Sequence, residues 1–119
     1  MATTKKALKV LVQEGLNYWQ EALRLQDWDV HFDVVPVHVL DDSYADITFV
    51  ATKRAAYLRM VNPEHRSHDW EVSLVHELLH IHFAPFKTKT GSVQELAEEQ
   101  AIHSISTALV VLRREGSDG

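Results

Sequence analysis

Cysteine is missing from all 119 residues, which excludes a disulfide framework, a cysteine-based zinc finger and a thiol nucleophile. Missing too is any apolar run near the ~20 residues that a bilayer-spanning helix requires. Lys5 and Lys6 precede Ala7-Leu8 as in a signal peptide, but Lys9, Gln13 and Glu14 break the apolar segment before it gains length. A cytoplasmic protein without a membrane partner is therefore expected. Positive charge is in deficit: the net charge is -5 with histidines neutral. That disfavours a dense basic surface, and no nucleic-acid partner is expected. The chain has no low-complexity run, internal repeat or linker.

What remains is 45% apolar and 24% charged residues, the balance of a soluble globular chain. The length suits a single domain over residues 1–119 with its own core. From Thr4 to Leu25 the apolar positions Leu8, Leu11, Val12, Tyr18, Trp19, Ala22 and Leu25 recur at helical spacing, with Thr3 or Thr4 as cap. This amphipathic helix is expected to lie across the back of a sheet. From Trp28 to Val39 the period changes to two: Val30, Phe32 and Val34 share one face, His31, Asp33 and Val35 the other, and Pro36 bends or ends the strand. After a turn at Asp41-Asp42-Ser43, the runs Ala45 to Ala51 and Ala55 to Val61 flank Thr52-Lys53-Arg54 as a hairpin or consecutive strands. A three-stranded, mainly antiparallel sheet is the expectation.

A second helix is expected to start at a cap from Ser67, His68 or Asp69, to bury Trp70, Leu74, Leu78 and Ile81, and to close near Phe83 before Pro85. Ser92-Val93-Gln94-Glu95 matches a capping box and opens a last helix to about Arg113. Its inward stripe is read as Glu98, Ile102, Ile105, Leu109 and Leu112. Arg113 and Arg114 suit its carboxyl end, and Gly116 to Gly119 is read as a frayed tail. The expected class is α+β: an N-terminal helix, the sheet, and two further helices.

The second helix carries His76-Glu77-Leu78-Leu79-His80. Two histidines one turn apart stand on one face and can reach one metal ion, with Glu77 beside them, which is the spacing of a zinc hydrolase. Zinc in such a site takes three protein ligands and keeps a fourth position for water. Glu98 is the expected third ligand, because a carboxylate in line with the apolar stripe calls for a compensating charge. Glu99, about 100° away on the helical wheel and nearer His103 and Ser106, is the alternative. Glu95 is explained by its cap, and His82 and His103 read as packing residues before ligands.

With a glutamate on the next helix after the histidine pair, the motif resembles a very small gluzincin metallopeptidase. Leu25-Gln26-Asp27-Trp28-Asp29-Val30 is similar to the tryptophan-led first strand of SprT-like and phage-encoded minimal metallopeptidase domains. The resemblance spans roughly Tyr18 to Leu109; its specific part is the five motif residues and the later glutamate. It implies a zincin-like fold, zinc on His76, His80 and Glu98, Glu77 as catalytic base, and a protein or peptide substrate. In the implied mechanism Glu77 takes a proton from zinc-activated water and hands it to the leaving amine. Tyr57, His103 or Arg54 would then stabilise the oxyanion. The strand Ala55 to Met60 would supply the edge that aligns the peptide.

Two departures from the family stand out. Ile102 occupies the position where larger gluzincins carry an acid that orients the histidines, and no second lobe is present to deepen the groove. These favour, as the alternative, a non-catalytic zinc-binding interaction module. A nucleic-acid-associated hydrolase is disfavoured by the acidic charge, the lack of a zinc ribbon and the lack of a third histidine soon after His80.

Overall fold

The computed structural model describes residues 5–40, 43–63, 69–86 and 89–118. The expected caps at Thr3, Thr4, Ser67 and His68, the Asp41-Asp42 turn and Gly119 lie outside the described residues. Among them the elements run α1 (Lys5–Ala22), β1 (Asp29–Val35), β2 (Ala45–Val50), β3 (Ala55–Val61), α2 (Trp70–Phe83) and α3 (Val93–Asp118). Among the described residues no helix is long and apolar enough to cross a membrane.

In α1 the buried residues Leu8, Val12, Leu16 and Trp19 follow the helical repeat, while Leu11 and Tyr18 stand exposed at the margin of this stripe. The helix ends at Ala22 rather than Leu25, because the chain turns through Arg24 at φ 62 and folds Leu25 back into the core. The Gln20 amide closes this turn by donating to the carbonyls of Leu25 and Trp28. The helix packs on α2 and shares one core cluster with Leu58 and Met60 of the sheet, while Lys9 pairs with Asp33 of β1. At Gly15 an added Cβ would stand 2.8 Å from the Trp70 ring, so the absence of a side chain sets how near the two helices lie.

The sheet is mixed and ordered β1-β3-β2. β2 and β3 pair antiparallel around a 3-10 turn, Ala51–Lys53, that closes at Arg54 in the left-handed region. β1 pairs parallel with β3. Pro36 has no N–H to continue the ladder, and a further 3-10 turn, Val37–Leu40, carries the chain away from β1. The strand expected as the exposed edge, Ala55 to Met60, is therefore the central strand, paired on both sides. Ala56, Leu58 and Met60 face the core and Tyr57 is exposed, while Val61 at the end of the strand is buried as well.

α2 starts at Asp69, whose carboxylate accepts from the amides of Glu71 and Val72, and stops at Phe83, two residues before Pro85. Leu74, Val75, Leu78 and Ile81 enter one core with Leu16, Leu58, Met60 and Ile102. Each such side chain contributes ~1.5–3 kcal/mol by leaving water.

α3 begins with the expected box: the Glu95 amide donates to Ser92 Oγ, and Glu95 accepts from the amide of Gly91, which sits at φ +80. The helix continues past Arg113 to Asp118, so part of the expected frayed tail is helical. Its buried stripe is Ile102, Ser106 and Val110, while Ile105 and Leu112 are exposed. Arg113 and Arg114 do not act as terminal charges. They reach α2, where Glu71 is only 5% exposed and also accepts from Trp19 Nε1 at 2.8 Å. Arg114 further holds Asp69 at 2.8 and 2.9 Å, and the Arg113 guanidinium lies 3.7 Å from the centre of the Tyr18 ring. One buried carboxylate thus ties α1, α2 and α3 together.

Candidate metal centre

His76 and His80 project from α2 toward α3, on the side of the helix that borders β2. Their rings lie 5.2 Å apart, as the one-turn separation dictates. Glu99 of α3 meets both: His76 Nε2 is 3.0 Å from Glu99 Oε2, and His80 Nε2 is 2.9 Å from Glu99 Oε1. One ligand atom from each of the three residues falls within 4.8 Å of the others, so the group can hold a metal ion.

Glu98, the expected third ligand, lines the same cavity but is not part of this group. The reason is the phase of α3. Glu99 precedes buried Ile102 by three residues and Ser106 by seven, so it lies on the stripe that packs against α2. The expected phase leaned on Ile105 and Leu112, which face outward.

The electrostatics suit a cation. Burial pushes the His76 imidazole below its ordinary range, with neighbouring His80 and His103 adding to that direction and Glu99 opposing it. A neutral imidazole has a free nitrogen lone pair for a metal. Glu77 is pushed up to about 8, first by burial, then by the negative charges of Glu99 and Asp46. A cation among the three ligands would favour its ionised form.

Two cavities flank the centre. One of about 420 Å³ has Ile47 and Phe49 of β2, Phe83 and Phe86 beyond the histidines, and Glu98 in its walls. The other, about 390 Å³, includes Ser43, Tyr44, Asp69, Ser73 and His103. His76, Glu77 and Glu99 line both. Among the described residues β2 is an edge strand with only β3 beside it, and it borders this double cavity. Sequence reasoning missed this role for β2, because strand order has no local signature when three strands of similar length are present.

Of the three expected oxyanion donors, His103 alone lines a cavity at the centre, with its ring 6.3 Å from that of His76. Tyr57 is on the outer face of β3 opposite Leu58, and Arg54 is paired with Asp27 at the far end of the hairpin. His82 is directed elsewhere, bonded through Nε2 to the Leu23 carbonyl, which fits the packing role read for it. Asp46, whose charge acts on Glu77 and whose carboxylate is held by Arg59, was not foreseen; it stands on β2 opposite Arg59 in the register.

Compared with protein-family models, with curated proteins and with solved structures, the chain shows no significant match to any of them.

Proposed function

We propose that this chain is a zinc-dependent metallopeptidase. The observation that carries the reading is the convergence of His76, His80 and Glu99 beside the half-buried carboxyl of Glu77, on the wall of a cavity bordered by the edge strand β2. Two imidazole nitrogens and one carboxylate oxygen form the donor set that suits zinc with a position left for water. When bound, zinc would supply a Lewis acid that acidifies water and polarises a carbonyl group.

The chain's own residues do the rest. The edge of β2 away from β3 takes an extended peptide as an added strand across the centre. Glu77 Oε, kept ionised by a cation at the three ligands, takes a proton from the attacking water and delivers it to the leaving amine nitrogen. The His103 imidazole, which lines the second cavity, donates to the oxygen on which negative charge develops.

The test is metal analysis coupled to turnover. Protein purified without chelator should carry about one zinc per chain and cleave members of a mixed peptide pool, with products read by mass spectrometry. Glu77→Gln should keep the zinc and lose cleavage by about 100-fold or more, the scale of general acid–base catalysis. Unchanged cleavage by this variant, or no zinc uptake by the parent chain, would end the proposal.

A further inference from the structure

With Glu99 at the histidines, Glu98 has no part in the ligand group and needs another account. It lines the larger cavity with Ile47, Phe49, Phe83 and Phe86. The four carboxylates in that lining differ in their commitments. Asp46 is bonded by Arg59, Glu99 meets both histidines, and Glu77 is the half-buried group assigned to proton transfer. Glu98 forms no ion pair or hydrogen bond among the described residues.

An aromatic cavity with one uncommitted carboxylate discriminates between side chains. A purely apolar guest would cover Glu98 without giving it a partner, at the cost of desolvating a charge. An acidic guest would meet a like charge. A long cationic side chain satisfies both features, laying its aliphatic stem along the phenyl walls and its charged head against the carboxylate. Arginine fits better than lysine, because its planar guanidinium stacks on aromatic faces and engages a carboxylate through two parallel hydrogen bonds. The cavity volume of about 420 Å³ falls within the ~300–1,000 Å³ of small-ligand sites.

We infer that the cavity between β2, the carboxyl end of α2 and the start of α3 is a subsite for an arginine side chain of the bound peptide, with Glu98 as its charge partner. The inference deepens the metallopeptidase reading and rests on it for the peptide, although arginine capture is measured without turnover.

The experiment is a nuclear magnetic resonance titration of zinc-loaded protein with N-acetylargininamide, N-acetyllysinamide and N-acetylleucinamide, following the ring signals of Phe49, Phe83 and Phe86. The arginine probe should shift these signals at the lowest concentration. Glu98→Gln should weaken its binding by about fivefold or more, the scale of a partly exposed charge-assisted pair, without weakening the leucine probe. Zinc content should be the same in both proteins. Equal binding of arginine and leucine probes, an arginine affinity indifferent to Glu98→Gln, or loss of zinc in that variant would each overturn the assignment. Arginine capture in a protein that cleaves no peptide would instead reject the peptidase reading and leave the subsite standing.

Discussion

Adjacent glutamates on one helix differ by about 100° in direction, and that rotation decides which of them meets the histidines. The first expected outcome follows from it. Glu99→Ala should lower zinc affinity by at least about 100-fold, more than the loss typical of residues that merely orient a ligand, whereas Glu98→Ala should bind zinc as the parent chain does. Competition with a coloured chelator reads both, and the reverse order would return Glu98 to the metal. The sequence identified the pair but not the member, because Ile105 and Leu112 are apolar residues left on the outside and they draw a helical wheel toward the wrong phase. The buried stripe contains Ser106, a polar residue that no hydrophobicity pattern selects; its hydroxyl is satisfied by the Ile102 carbonyl at 2.6 Å. A second outcome concerns Glu77. Its carboxyl titrates near 4.5 in the unfolded chain and at about 8 in the metal-free fold. The folded state therefore keeps a proton that the unfolded state releases between those values, and stability declines as pH rises from about 4.5 to about 8. Glutamine is neutral throughout. Metal-free Glu77→Gln should match the parent near pH 4.5 and exceed it at pH 8 by about 2 kcal/mol, the full shift being reduced because the group is half-buried rather than enclosed. Urea unfolding of both proteins at the two pH values measures the difference.

At the scale of elements, α2 does two jobs on two faces, packing the core through Leu74, Val75 and Leu78 and presenting the histidines on the side that meets α3. Its position is fixed by contacts far from the centre, and these are testable through stability. Glu71 accepts from Trp19 Nε1 and pairs with Arg113 and Arg114 while nearly buried. Glu71→Ala removes the acceptor shared by three helices and leaves its donors poorly matched, so a loss of about 3 kcal/mol is expected in urea unfolding. A change below about 1 kcal/mol would mean that water replaces the carboxylate without cost. Gly15→Ala sets two effects against each other. Helix propensity alone favours alanine by about 1 kcal/mol, but its Cβ would meet the Trp70 ring at 2.8 Å and force α1 away from α2. Overpacking costs about 1–3 kcal/mol and should win, so the variant melts lower than the parent. Helix and strand positions were legible from periodicity and caps: Asp69, Ser92 and Pro85 mark boundaries that local chemistry enforces. Strand order was not, because the parallel pairing of β1 with β3 is set by the path after Pro36 and by packing on α2, neither of which leaves a local pattern.

For the molecule as a whole, the relation between core and centre decides how folding depends on metal. The fully buried side chains, Leu16, Leu58, Met60, Leu74, Leu78 and Ile102 among them, form one cluster spanning α1, the sheet, α2 and α3. The three residues that could hold a metal stand at its rim, with side-chain exposures of 19% for His76, 24% for His80 and 45% for Glu99. Nothing in the core cluster depends on the ion for its packing, in contrast to small metal-folded domains in which the ligands are the core. Two local terms favour the metal-free fold together. The Glu99 carboxylate keeps its contacts with both histidines, while Glu77 regains the proton that its surroundings favour. Removal should therefore leave helix and sheet content unchanged by circular dichroism and lower the melting temperature by mass action alone. With zinc at 100 times its dissociation constant, the bound form gains about 2.7 kcal/mol over the metal-free form. The shift should grow with the logarithm of zinc concentration and vanish in Glu99→Ala. Chelator that unfolds the chain outright at room temperature would show that the centre is part of the core, and would turn the rim placement of the three ligands into the wrong guide to stability.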